Sequence, residues 1–147
     1  MKLKIAWVGK TKDASIQALT DEYLKRISHH AEAEGVAVKD EAAILRMCET
    51  SARPTRHTLV LLDGRGKQLS SEDLAKFLSD YQDCNSQPLL FAVGPASGFS
   101  EDARRSARLV LSLGKMTIAH ELARIFLLEQ VYRAFTIMKG HPYHLGH

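Results

Sequence analysis

Hydrophobic positions along this chain fall into short continuous runs, separated by longer stretches where they recur every three or four residues. Residues 3–9 (LKIAWVG), 57–63 (HTLVLLD), 88–94 (PLLFAVG) and 107–114 (ARLVLSLG) are runs of the first kind. Each predicts a strand that is apolar on both faces. GVAVKD (35–40) is a weaker strand candidate. Between them the spacing predicts a helix through 19–34 (LTDEYLKRISHHAEAE), a short one over 42–50 that stops before Arg53-Pro54, and one beginning near Ser70. Ser70 and Asp73 have the spacing of a capping box. A short helix from Ser100 and a long one over roughly 119–139 follow. Strands that alternate with helices and are buried on both sides predict a single α/β domain, with a mostly parallel sheet and helices on both faces.

The last helix carries more apolar surface than one domain needs. At about 100° per residue, Leu127, Leu128, Val131, Ala134, Phe135 and Met138 form one wide stripe. Ile125, Phe126, Tyr132 and Ile137 fall on the opposite half, between Glu129, Gln130 and Arg133. A surface helix of a monomer hides only one face, so this helix is either deeply buried in its own domain or, the preferred reading, meets another subunit with its second face.

Composition narrows the class only a little. With 147 residues, 45% of them hydrophobic and 25% charged, the chain can bury a core. A net charge of +3 is a mild basic excess that suits nucleic acid and small metabolites equally. Cys48 and Cys84 stand far apart with no CxxC, which argues against a disulfide framework or structural zinc and fits a reducing compartment. The apolar run at the N-terminus is too short for a signal peptide, and no stretch approaches the ~18–20 apolar residues of a membrane span. The expectation is a soluble, cytoplasmic protein with no membrane partner.

In an open parallel sheet, ligands bind beyond the carboxyl ends of the strands. Three Gly- and Ser-rich loops occupy that position: 62–71 (LDGRGKQLSS), 93–102 (VGPASGFSED) and 112–121 (SLGKMTIAHE). Neither the first nor the second fits GxGxxG or the GxxxxGK[ST] phosphate loop, and the chain has no GxSxG elbow and no HExxH. Asp63, after the strongest strand, reads equally as a turn residue. His29 and His30 read as the solvated side of a charged helix, and His57 as structural. The chain ends GHPYHLGH, with His141, His144 and His147 three apart. Pro142 and Gly146 break any helix that would align these rings, so no metal is expected.

Four stretches taken together carry a resemblance. VGKTKD…EYLKRI (8–27), LLDGRGKQLSSEDLA (61–75), FAVGPASGFS (91–100) and LSLGKMTIAHELARIFLLEQVYRAFTIMKGHPYH (111–144) are similar to the small bacterial ribosomal RNA methyltransferases of the SPOUT class. Within that class they resemble the family that methylates N3 of a pseudouridine in large-subunit 23S rRNA. The resemblance implies a C-terminal trefoil knot, S-adenosylmethionine as methyl donor without a metal, and a homodimer, paired through the last helix, that acts on 23S rRNA in the ribosome. It places Leu62, Gly94, Leu113, Gly114, Lys115, Met116, Thr117 and Ile118 at the cofactor. The chain departs from the family pattern in having Pro95-Ala96 in the second loop, Ala119 before His120, and no basic residue after Tyr143-His144.

Methyl transfer from a sulfonium needs placement of the acceptor and loss of its proton, and an imide N–H is a poor nucleophile until deprotonated. In the implied reaction His144 is the candidate base or orienter, Tyr143 stacks on or positions the substrate base, and Arg133 meets a phosphate or the developing anion. Lys10, Lys12, Arg65, Lys67 and Lys115 are candidates for an RNA-facing rim. Two other classes stay open on sequence: a non-catalytic ribosome- or RNA-binding α/β module, and a flavodoxin-type nucleotide binder.

Overall fold

Alternation within each strand sorts the core into two layers. In a computed structural model, which describes residues 1–95 and 97–145, the chain forms ten elements. They are β1 (Lys2–Val8), α1 (Ala14–Ser28), β2 (Glu32–Val38), α2 (Glu41–Arg46) and β3 (Thr58–Gln68). Then come α3 (Ser71–Cys84), β4 (Leu89–Val93), α4 (Glu101–Ser106), β5 (Leu109–Ser112) and α5 (His120–Met138). The strands are all parallel, in the order β2-β1-β4-β3-β5. Every residue of β4, the middle strand of the sheet, is buried.

Leu3, Ile5, Trp7, Val60, Leu89, Phe91 and Val93 point to one face, where they meet apolar residues of α1, α3 and α5. Ala6, Leu59, Leu61, Leu90 and Ala92 point to the other and meet Ile44 of α2 and Ala103 of α4. The stripe on α5 supplies the larger layer: Leu127, Leu128, Val131, Ala134 and Phe135 are all buried.

Helix starts follow local chemistry. Ser70 Oγ accepts from the Asp73 N–H at 3.0 Å while the Asp73 carboxylate accepts from the Ser70 N–H, completing the capping box. Asp13, Asp40 and Ser100 cap α1, α2 and α4 more simply, each side chain accepting from a first-turn backbone N–H.

The first helix departs from its expected span. It starts at Ala14 behind the Asp13 cap and stops at Ser28, and residues 32–34 belong to β2. The glutamates that suggested a charged helix are cross-strand partners. Lys2 faces Glu32 and Lys4 faces Glu34 in register, with N···O separations of 3.9 and 3.2 Å. His30 is correspondingly not solvated surface: its ring stacks on Phe135 at 6.0 Å, and burial lowers its pKa. On α5, Tyr132 packs against Tyr23 and His30 of the same chain, and Ile137 joins the core, so neither belongs to a free second face.

The strand beginning at Thr58 also runs further than expected. It continues to Gln68 through an irregularity in which Leu111 is the partner of both Leu62 and Lys67, so residues 63–66 bulge out of the ladder. Gly66 permits that return. A Cβ there would lie 2.3 Å from the Val110 carbonyl oxygen. Gly66→Ala should therefore destabilise the fold by about 1–3 kcal/mol, read as a lower urea midpoint with an unchanged slope.

Candidate active site

The carboxyl ends of β3, β4 and β5 stand side by side, and the segments leaving them enclose a cleft of about 200 Å³. Leu62, Gly94, Leu113, Gly114, Lys115, Met116, Thr117 and Ile118 all line it, together with Asp63, Val93, Pro95, Gly98 and His120. The walls are mixed in kind. Val93, Leu62 and Ile118 offer apolar surface, while among the described residues the backbone N–H groups of 115–118 donate to no protein acceptor. Gly114 holds φ at +143°, a conformation that L side chains rarely adopt. Gly94 is needed for another reason: a Cβ there would press on the Phe99 ring at 2.8 Å.

A buried carboxylate joins the first two loops. Asp63 Oδ1 accepts from the Arg65 N–H at 2.9 Å and from Arg65 Nε at 3.0 Å. Its Oδ2 accepts from Arg65 Nη2 at 2.9 Å and from the Phe99 N–H at 3.0 Å. Arg65 Nη2 also donates to the Phe99 carbonyl at 2.8 Å. These bonds, those from the Arg65 side chain first, hold the Asp63 carboxyl well below the usual carboxylate range against the opposing effect of burial. Asp63 is thus the clasp between the bulge after Leu62 and the loop after Gly94, and Arg65 is not a free member of a basic rim. Lys10, Lys12, Lys67 and Lys115 are exposed.

Sequence reading passed over Arg124. It is only 1% exposed, with its guanidinium carbon 4.0 Å from the Trp7 ring centroid. Nη1 donates to Thr11 Oγ1 at 2.8 Å and Thr20 Oγ1 at 3.3 Å. Burial lowers its pKa. The residue fastens the start of α5 to α1 and to the loop after β1, and α5 periodicity alone marked it only as polar.

The tail folds back on its own subunit. Arg133 and Glu129, one turn apart on α5, form a paired contact with Nη2–Oε2 at 2.7 Å and Nε–Oε1 at 3.3 Å. Tyr143 donates its hydroxyl to Glu129 Oε2 at 2.7 Å, and its ring centroid lies 4.9 Å from the Arg133 guanidinium. Burial, then the bond to Glu129, pushes the Tyr143 phenol up to about 12, so it stays a neutral donor. For Glu129 burial acts against the charge, but the bonds from Arg133 and Tyr143 outweigh it and its pKa falls. His144 sits between Arg133 Nη1, 3.1 Å from Nδ1, and Glu72 Oε1, 2.6 Å from Nε2. Arg133, Tyr143 and His144 are therefore brought together, but Arg133 is already committed to Glu129. Glu72 and Glu129, which complete the group, carried no signal beyond a helix start and an i,i+4 pair.

A second cleft of about 280 Å³ shares Leu113 and Gly114 with the first. Its Ser71 and Gln130 adjoin in sequence the two glutamates that hold the tail, and Ser71 Oγ donates to Gln130 Oε1 at 2.6 Å. Among the described residues no group of three His, Cys, Asp or Glu is placed to hold a metal ion. Ala96 and His147, both weighed from the sequence, lie outside the described residues. No helix among those described is long and apolar enough to cross a membrane.

Residues 1–144 match the family model described as "Predicted SPOUT methyltransferase". The chain belongs to the SPOUT methyltransferase family. A protein of Koribacter versatilis (strain Ellin345), named "Ribosomal RNA large subunit methyltransferase H", is 52% identical over 147 residues, the whole of both chains. Among solved structures, the SpoU methyltransferase AviRb from Streptomyces viridochromogenes superposes with a TM-score of 0.57 at 16% identity. That match covers 95% of this chain and 61% of AviRb, so the SPOUT chain here spans less than two thirds of that neighbour. AviRb in complex with AdoMet superposes with a TM-score of 0.53 at 16% identity, over 90% of this chain and 57% of that one. At such identity these likenesses speak for the SPOUT fold alone.

The Asp63 clasp has a consequence for acid stability. A carboxyl whose folded pKa lies below its unfolded value of about 4 stabilises the fold fully above that value, and the contribution is lost as pH falls toward the folded pKa. Asp63→Asn should cost about 2 kcal/mol at pH 7 and flatten the loss of stability between about pH 5 and 2. Urea titrations of both proteins across that range measure the difference.

Proposed function

We propose that this SPOUT protein transfers a methyl group from S-adenosylmethionine to N3 of a pseudouridine in 23S rRNA, working as a cytoplasmic homodimer with a C-terminal trefoil knot. The observation that carries the reading is the convergence of Leu62, Gly94 and residues 113–118 on one cleft, in a chain 52% identical along its full length to a protein named for methylation of large-subunit rRNA. The cleft fits the cofactor in kind. Apolar walls suit a purine and a thioether stem, and the uncommitted N–H groups of 115–118 suit the acceptor edge of an adenine. When bound, S-adenosylmethionine supplies a methyl group on a sulfonium, an already activated leaving group.

The chain's own residues have the remaining tasks. Leu62, Val93 and Ile118 exclude water from the cleft. Tyr143 and Arg133 present an aromatic face and a cation to the acceptor base, and His144 accepts the imide proton. The exposed lysines at positions 10, 12, 67 and 115 suit phosphate contacts, which make binding salt-dependent. For the dimer, Leu122 is 56% and Phe126 43% exposed on α5, beside Ile118, Ile125 and Tyr23. This apolar patch, rather than Tyr132 or Ile137, is the face a second copy would cover.

Calorimetry should show S-adenosylmethionine binding in the micromolar range or tighter, lost in Gly114→Val. Ribosomes lacking the modification should take up labelled methyl at N3, and His144→Ala should slow this by about 100-fold or more. A protein that binds ribosomes but transfers no methyl would reduce it to an RNA-binding module. Phe126→Glu should shift sedimentation from dimer to monomer; an unchanged dimer would move the interface elsewhere.

A further inference from the structure

Hydrogen-bond polarity at the tail restricts which nitrogen of His144 carries a proton. A guanidinium has donors only. Arg133 Nη1, 3.1 Å from Nδ1, can therefore be satisfied there only if Nδ1 presents its lone pair. The ring hydrogen then sits on Nε2, which lies 2.6 Å from Glu72 Oε1. The opposite tautomer would set an N–H against an N–H on one side and a lone pair against a carboxylate on the other. We propose that Glu72 is the positioning residue of His144, holding it as the Nε2–H tautomer so that Nδ1 is the nitrogen that accepts the substrate's proton.

The surroundings support this on every side. Glu72 comes from the first turn of α3, where its own backbone N–H, and then His144, lower its carboxyl pKa. Arg133 and Glu129 approach from α5, and Tyr143 from the tail. His141, the other tail histidine among the described residues, accepts from the Tyr143 N–H through Nδ1 at 3.1 Å. Glu129 grips Arg133 by Nε and Nη2, leaving Nη1 as the arm that reaches His144.

Resting on the rRNA reading above, the proton balance is simple. The imide N3–H bond breaks, its electron pair stays on nitrogen, and a new N–H bond forms at His144 Nδ1. The resulting imidazolium keeps its Nε2–H on the Glu72 carboxylate, which stabilises the charge. Because Nδ1 has a single lone pair, Arg133 Nη1 moves off it as the imide N–H docks, and its hydrogen turns to the imide as the negative charge develops. Glu72 and His144 meet within one chain.

The test combines spectroscopy with kinetics on the full-length protein. Two-bond ¹H–¹⁵N correlation spectra at neutral pH should assign the Nε2–H tautomer to His144, and Glu72→Gln should give a mixture of the two forms. In methyl transfer, Glu72→Gln should lower kcat about 10-fold and leave S-adenosylmethionine affinity unchanged. Glu72→Asp should recover part of the rate. An Nδ1–H tautomer in the unaltered protein overturns the proposal, whether or not the protein methylates RNA. So does a Glu72→Gln protein with the same tautomer and rate as the parent. Absence of transfer by a parent that shows the expected tautomer counts against the rRNA reading and not against the hold of Glu72 on His144.

Discussion

Parallel pairing is the constraint on which the other features of this molecule depend. A strand can pair parallel to its neighbour only if the chain first crosses back over the sheet, so each of the five strands begins at one edge and ends at the other. The returning segments are α1 to α4, and they cover both faces. With the order β2-β1-β4-β3-β5, the ends of β4, β3 and β5 become neighbours although they lie tens of residues apart in sequence. The cleft is the volume that these ends leave open. Strand ends buried on both sides also explain why so many of its groups are backbone or aliphatic.

Charge is used sparingly inside this frame, and each instance fastens two segments that sheet pairing leaves independent. Asp63 binds the bulge of β3 to the loop after β4 through four donors, and its charge is compensated by Arg65 on the solvent side. Arg124 does the corresponding work between α5 and the loop after β1, with the Trp7 ring and two hydroxyls in place of a carboxylate. Such groups are expensive to bury unless satisfied, and the Asp63 contacts all lie in segments that border the cleft.

The tail network differs in being partly exposed. Glu129 fixes Arg133 and Tyr143, and Glu72 reaches His144 from α3, so the last described turns are held by five polar side chains rather than by a core. Contacts of this type are individually weak and reversible.

Taken alone, the sequence determined the periodic features: the apolar strands, the capping box at Ser70, the buried stripe of α5 and the strand-end position of the three loops. These are local or follow from burial on both faces, and burial is written in the order of residue types. The glutamates at 32 and 34 looked helical because their lysine partners lie on another strand, and no local pattern records that pairing. Only the tertiary structure decided that Tyr132 and Ile137 turn inward while Leu122 and Phe126 stay open. It also decided that Asp63 is a clasp, and that His144, 72 positions from Glu72, is bonded to it. The reason is the same in each case. Hydrogen-bond partners distant in sequence are selected by chain crossings and strand order, which a linear pattern of residue types does not specify.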